Sequence, residues 1–219
     1  MKIFVLSNFV DLSLVEISEL VGVKGKKVGD GVVEVEVTEK ELMILCSRGQ
    51  SFKRVLLKID AVDNLSNINL SFEWKNILWK CCSFRVEIEG VKGNEKRIEI
   101  GRELGDKIFG VVDFEPKIDF KKPDVSFYLY ADEKKYFLGV DLIGYELNKR
   151  DYRVFVNSAS FKGDLGYYLV RESGFVKGEK LVVGFVKDGT TLIEAGLFDG
   201  EVVNKNFSLV RLPKFRDLE

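Results

Sequence analysis

Over the first 60 residues the spacing of apolar side chains changes period and changes back, and a chain that does this must lay helices against a sheet. Lys2 to Leu6 is a short apolar run, and Ser7 to Asp11 supplies polar turn residues. Leu12, Val15, Ile17, Leu20 and Val21 then recur near helical spacing, and Gly22 to Asp30 reads as a glycine- and lysine-rich turn. Gly31 to Val37, GVVEVEV, alternates apolar and acidic residues like a half-buried strand. Thr38, followed by Glu39, Glu41 and the series Leu42, Leu45, Cys46, predicts a capped helix, and Arg54 to Ile59 returns to strand. The order suits a small βαββ or split βαβ unit, with helices on one face of a largely antiparallel sheet.

Asp60 to Asn69, DAVDNLSNIN, is rich in Asp, Asn and Ser and is the best early domain border, placed near residue 65. Leu70 to Trp79 carries Phe72, Trp74, Ile77, Leu78 and Trp79, either a short helix or a set of core aromatics. Phe84 to Glu89 alternates as a strand, and Lys96 to Ile108 places Ile98, Ile100, Leu104 and Ile108 on one side of a helix. Pro116 and Pro123 bracket an extended segment, and Val125 to Tyr130 with Tyr136 to Leu142 form a hairpin across Ala131 to Lys135.

Composition excludes several chemistries. The 219 residues contain no histidine, so a Ser-His-Asp triad, a Cys-His pair and the common zinc sites are ruled out. Cys46 and the adjacent Cys81 and Cys82 lack Cys-x-x-Cys spacing and read as buried free thiols rather than metal ligands. The net charge of −1 provides no global basic field, so nucleic-acid binding needs a local patch. No apolar run reaches the roughly 18 to 20 residues that span a bilayer, and the start MKIFVLSNFVDLS does not read as a signal peptide. A soluble, cytoplasmic protein without membrane partners is the expectation.

One local patch stands out. Gly139 to Arg153, GVDLIGYELNKRDYR, ends a strand and gathers Lys149, Arg150 and Arg153 beside Tyr145 and Tyr152. Cations interleaved with aromatics contact phosphates and stack on bases, although the same composition also suits a solvated loop.

The order of short motifs resembles a known family. Phe84-Arg85-Val86, Arg102-Glu103-Leu104-Gly105, Lys122-Pro123-Asp124-Val125, Gly139-Val140-Asp141-Leu142-Ile143-Gly144 and Leu147-Asn148-Lys149-Arg150-Asp151-Tyr152-Arg153 run collinearly over about 110 residues, with Ser158 to Lys162 at the link that follows. Together they are similar to the archaeal THUMP-containing RNA methyltransferases that modify guanine N2 in tRNA. The resemblance implies an α+β architecture: a ferredoxin-like domain over residues 1–65, a THUMP RNA-binding domain over 66–157, and a linker helix with a methyltransferase-like remnant over 158–219. It also implies that the first two domains hold the acceptor end of tRNA, with Lys149, Arg150, Arg153, Arg97 and Arg85 facing the RNA. Arg85 has a competing role, since its place in an alternating strand suits a cross-strand salt bridge.

The remnant begins with an apolar strand at Lys180 to Val183, a turn from Gly184 to Thr190 and a helix start at Thr191 to Ala195. In a Rossmann-type methyltransferase such a unit holds S-adenosylmethionine, glycines letting the backbone approach the ligand. Phe185, Gly189, Thr190, Ile193, Glu194 and Ala195 match the family pattern. Val183 stands where the pattern has an acid, Gly184 where it has proline, Val186 where it has cysteine and Lys187 where it has its first glycine. The unit therefore reads as a degenerate cofactor site, and no Asn-Pro-Pro-Tyr type motif follows it. The expectation is an RNA-binding protein without catalytic residues, metal or cofactor of its own. The alternatives are a subunit or fragment of an S-adenosylmethionine-dependent RNA methyltransferase completed by a partner chain, and a protein-interaction module whose C-terminal region is a dimer or partner surface with an apolar patch at Leu192, Ile193, Leu197 and Phe198.

Overall fold

The computed structural model describes residues 1–70, 73–153, 160–184 and 188–199. It is a mixed α/β protein in which the eight strands among the described residues form a sheet of both parallel and antiparallel pairs. The chain forms two compact units, one of residues 5–55 with the described residues from Tyr145 onward, the other of Lys2–Phe4 with Leu56–Gly144. The expected border near residue 65 falls inside the second unit.

Over the first 50 residues, β1 (Lys2–Ser7), whose last three residues belong to the first unit, α1 (Val10–Val21), β3 (Val32–Glu36) and α2 (Glu39–Arg48) follow the expected alternation, with β2 (Lys26–Gly29) between α1 and β3. Strand β2 lies where a turn was expected. Its sequence KKVG has no alternation of its own, and antiparallel pairing with β3 makes it a strand, exposed Lys26 and Lys27 blunting the edge. The cap of α2 is local and fully legible: Thr38 Oγ1 accepts the Glu41 N–H at 3.3 Å and Glu41 Oε2 accepts the Thr38 N–H at 2.7 Å. Helix α1 ends at Gly22, whose φ of 71° is left-handed. Its inward face differs from the expectation. Val15 is 48% exposed, while Ser13 and Glu16 are buried beside Val10 and Ile17. The reason is a polar network: Ser13 Oγ bonds Ser7 Oγ and Ser51 Oγ, each at 2.7 Å, and Glu16 accepts the N–H groups of Gln50 at 2.7 Å and Ser51 at 2.9 Å.

Strand β4 (Phe52–Val62) runs on through the polar stretch expected to be a linker. Asp60 follows a register shift in the pairing with β8 and fastens the neighbouring chain, its carboxylate accepting the N–H groups of Ala61 and Asn69 at 2.8 Å each.

In the second unit, β5 (Ser83–Glu89), α3 (Asn94–Phe109), β6 (Lys117–Ile118), β7 (Val125–Ala131) and β8 (Tyr136–Asp141) give the strand order β4-β8-β7-β5-β6. β5 and β7 are parallel and joined through α3, while β7 and β8 form the expected hairpin. Phe84, Phe127 and Phe137 fill the core, with Trp74 packed on Phe127. On α3, Ile100, Leu104 and Ile108 are buried as expected, but Ile98 is 48% exposed, because two helical steps from Ile100 turn it to the opposite side. The glycine of the Gly-Val-Asp motif is structural: a Cβ on Gly139 would meet Leu57 O at 2.7 Å and Leu56 Cβ at 2.8 Å.

Candidate functional site

The basic segment after β8 starts from a built turn. Asp141 Oδ1 accepts the N–H groups of Ile143 at 3.0 Å and Gly144 at 3.1 Å, and Gly144 has a φ of 86°. A single 3-10 turn, Leu147–Lys149, then buries Leu147 and Asn148 and delivers Arg150 with a φ of 27°, a conformation seldom adopted outside glycine. Such backbone persists where the surroundings over-determine it.

Here they do so through the side chain of Arg150. Its Nε donates to Glu194 Oε1 at 2.8 Å, Nη2 to Gln50 O at 2.6 Å and to Glu194 Oε2 at 3.2 Å, and Nη1 to Leu147 O at 2.7 Å. Burial is the largest single influence and would lower the guanidinium pKa, but the charge and hydrogen bond of Glu194, with Tyr152 and Glu16, together raise it. Glu194, 0% exposed on α5 (Thr190–Asp199), also accepts from Gln50 Nε2 at 2.7 Å and Tyr152 OH at 2.5 Å. Burial, then the Glu194 charge, pushes the Tyr152 phenol well above its ordinary value, so the hydroxyl stays a donor. Gly163 and Gly166 on α4 (Gly163–Glu172) make room: a Cβ on Gly163 would lie 2.7 Å from Glu194 Oε1, and one on Gly166 2.8 Å from Thr190 Cγ2. Asp164, 1% exposed in the first turn of α4, accepts from Asn148 Nδ2 at 3.0 Å and Asn8 Nδ2 at 2.7 Å.

Beside this cluster lies an open cavity of about 670 Å³, lined by Glu16, Arg150, Tyr152, Tyr167, Arg171 and Phe198 among others. Arg171 forks onto Glu19 with two bonds of 2.7 Å and lies 4.9 Å over the Phe198 ring. Phe198 thus turns inward against Tyr167, and the expected patch is divided: Leu192 and Ile193 are 42% and 37% exposed while Phe198 is not.

The expected cofactor unit is present in part. Lys180 to Val183 is not a strand, and Val182 is 90% exposed. A strand needs a hydrogen-bonded neighbour, and none of the described strands pairs with it. Gly189 does adopt the left-handed φ of 76°, and Asp188 Oδ1 accepts the Thr190 N–H at 3.1 Å at the start of α5. Glu194 is corrected from cofactor remnant to structural acceptor, because its carboxylate is occupied by Arg150, Tyr152 and Gln50. Phe185, Val186 and Lys187 lie outside the described residues.

Of the RNA-facing candidates, Arg150 is corrected: its donors are bound within the protein and its side chain is 11% exposed. Lys149 remains available, 66% exposed with a loose 3.4 Å pairing to Glu146. Arg153 is half-buried. In the second unit, Arg97 and Arg85 line one groove together with Arg102, which belongs to a matched motif but was not among the expected RNA-facing residues. Arg85 also pairs with Glu87, but within the same strand; across to β7 its bond goes to Ser126 Oγ, so the expected cross-strand salt bridge is not formed. Among the described residues no group of three or more Cys, Asp or Glu could hold a metal ion, and no helix is long and apolar enough to cross a membrane.

No family model matches the chain. Ribosomal RNA large subunit methyltransferase K/L of Buchnera aphidicola subsp. Schizaphis graminum is 29% identical over 147 residues, 65% of this chain and 20% of that protein. Both curated relatives compared are RNA methyltransferases. The second, of the same name from Desulfotalea psychrophila, is 25% identical over 202 residues, 84% of this chain and 28% of its own length. The chain thus spans less than a third of either. A predicted N6-adenine-specific DNA methylase from Listeria monocytogenes has the same fold, with a TM-score of 0.75 at 16% identity over 99% of this chain and 60% of that one. SMU.472, solved in complex with SAH, gives 0.74 at 17% identity over 97% and 60%.

These findings overturn the expectation of an RNA-binding protein without catalysis. The similarity to methyltransferases covers most of the chain and is not confined to an RNA-binding front part. They also remove the ground for expecting no cofactor, since both curated relatives are methyltransferases.

Proposed function

We propose that the chain is the RNA-holding part of an S-adenosylmethionine-dependent RNA methyltransferase, a fragment or subunit completed by further methyltransferase residues. The observation that carries the reading is the Arg150–Glu194 pair. It joins the basic segment after β8 to the first helix of the methyltransferase-like stretch as one buried ion pair, so the first unit is built with both halves in place. On this reading residues 1–65 correspond to a ferredoxin-like domain, 66–157 to a THUMP domain and the residues from 158 to the start of the methyltransferase. The substrate is RNA. Large-subunit ribosomal RNA, named in both curated relatives, is the first to test, and the acceptor end of tRNA, implied by the family resemblance, the second. Lys149 and Arg153 in the first unit, and Arg97 in the second, are the candidate phosphate contacts, while Arg85 is held by Ser126, the Phe120 carbonyl and Glu87.

S-adenosylmethionine would supply an electrophilic methyl group on its sulfonium. The described residues do not make a complete site for it. Gly189 opens the turn before α5, but Val183 has no carboxylate and that of Glu194 is held internally. No methyl-transfer step is therefore derived for this chain alone. Its own residues act on the RNA side, through exposed cations whose phosphate contacts release counterions and make binding salt-dependent.

The test is transfer of tritium from labelled S-adenosylmethionine to large-subunit ribosomal RNA, using the full chain mixed with a separately expressed methyltransferase core from the Desulfotalea relative. Labelling that needs both components supports the proposal. If the chain binds neither ribosomal RNA nor tRNA at low salt, the proposal fails.

A further inference from the structure

The loop ahead of β7 holds an aromatic ring in water and is built to do so. Phe120 is 74% exposed, yet its loop is braced from both sides. The Asp119 N–H donates to Phe84 O at 3.1 Å, and Asp119 Oδ1 accepts the N–H groups of Lys121 at 2.8 Å and Lys122 at 3.0 Å. Arg85 Nη1 donates to the Phe120 carbonyl at 3.1 Å while its Nε donates to Ser126 Oγ at 3.2 Å. A phenylalanine left in solvent by chance needs no such framework. Arg85 is accordingly a positioning residue, its bonds fixing the loop.

Phe120 borders a groove of about 400 Å³ between α3 and β5, with Ile88, Ile98 and Phe109 in its apolar walls. Gly101 and Gly105 of α3 keep the groove open: a Cβ on Gly105 would meet nothing within 4 Å, and one on Gly101 only Ile88 Cδ1 at 3.6 Å. The charges around it are unbalanced toward the positive. Arg97 and Arg102 line the groove with Asp106, and beside Phe120 the exposed Lys121 and Lys122 outnumber Asp119. An apolar peptide would cover Phe120 but leave this cationic rim unmatched. A nucleotide strand offers both partners, a base with a π face and a phosphate at every step, and only an unpaired base exposes that face.

We propose that the Phe120 loop and the α3–β5 groove bind single-stranded RNA, an unpaired base stacking on the Phe120 ring and flanking phosphates meeting Arg97, Arg102, Lys121 and Lys122. This rests on the RNA reading above and adds where, and in what form, the strand is held.

The experiment is fluorescence anisotropy of the full chain with fluorescein-labelled oligouridylate, and with a blunt-ended, fully paired RNA duplex as control. Phe120 is exposed, so its replacement leaves folding intact. Phe120→Ala is expected to weaken oligouridylate binding roughly 5- to 150-fold, the range of one base–aromatic stack, while Phe120→Trp retains it. Replacing Lys121 and Lys122 by Ala is expected to lower the slope of log affinity against log salt by about 0.7 for each phosphate no longer neutralised. If wild type binds oligouridylate and Phe120→Ala binds it equally well, the inference is overturned and the RNA reading stands. An equal loss on the duplex also overturns it, since bases paired and stacked within a duplex have no free face to offer the ring. Wild type that binds neither RNA removes the RNA reading itself.

Discussion

Arg150→Met is the most informative single change. It leaves Glu194, 0% exposed, without its cation, and leaves the Leu147 and Gln50 carbonyls without the donors that reach them at 2.7 and 2.6 Å. Tyr152 OH and Gln50 Nε2 remain on the carboxylate, so the charge keeps two donors but no countercharge. Removing one partner of a buried pair costs about 3–5 kcal/mol. In a domain whose total stability is about 5–15 kcal/mol this is a large fraction. For a chain of this size the expected fall in Tm is roughly 6–20 °C. Urea unfolding followed by far-UV circular dichroism is the assay. Both tryptophans lie in the second unit, so their fluorescence would not report directly on this cluster. Arg150→Lys restores charge but not the fork across three acceptors and should fall between wild type and Met. A loss below about 1 kcal/mol for Arg150→Met would refute the reasoning, because it would mean that water reaches Glu194 once the arginine is gone.

Other changes probe neighbouring features. Gly163→Ala places a methyl group 2.7 Å from Glu194 Oε1 against the same ion pair and should cost about 1–3 kcal/mol in thermal unfolding. Burial, acting against the Ser51 and Gln50 hydrogen bonds, holds the Glu16 carboxyl above its ordinary value of 4.5. A raised folded-state pKa contributes stability that is complete below the unfolded value and lost as pH rises through the folded one. The stability of wild type minus that of Glu16→Gln should therefore shrink as pH rises from about 4.5 toward neutrality, and a difference that grows with pH would contradict the assignment. Lys149→Ala, at an exposed cation, should leave Tm unchanged and lower the salt slope of RNA binding by about 0.7–0.9, and an unchanged slope removes Lys149 from the interface.

Local features were readable without the fold. The Thr38 capping box needs only residues three apart, and the β7–β8 hairpin needs only two alternating runs and a polar turn. The apolar residues Ile100, Leu104 and Ile108 marked the inner face of α3 through spacing alone. Reading failed wherever a distant partner decides. Glu16 looks like a solvated helix residue until the Gln50 and Ser51 amides, 34 and 35 residues away, turn it inward. Arg150 and Glu194 were singled out separately, one as an RNA contact and one as a cofactor remnant, yet 44 residues apart they satisfy each other.

The sequence alone determines the capped helix at Thr38, the β7–β8 hairpin, the absence of histidine chemistry and the gathering of cations in Leu147 to Arg153, because each depends on residue type and near neighbours. Tertiary structure decides which of those cations face water. A guanidinium beside a buried carboxylate is kept there by the cost of leaving that charge unpaired, whereas Lys149 and the framed ring of Phe120 have no such partner and stay at the surface.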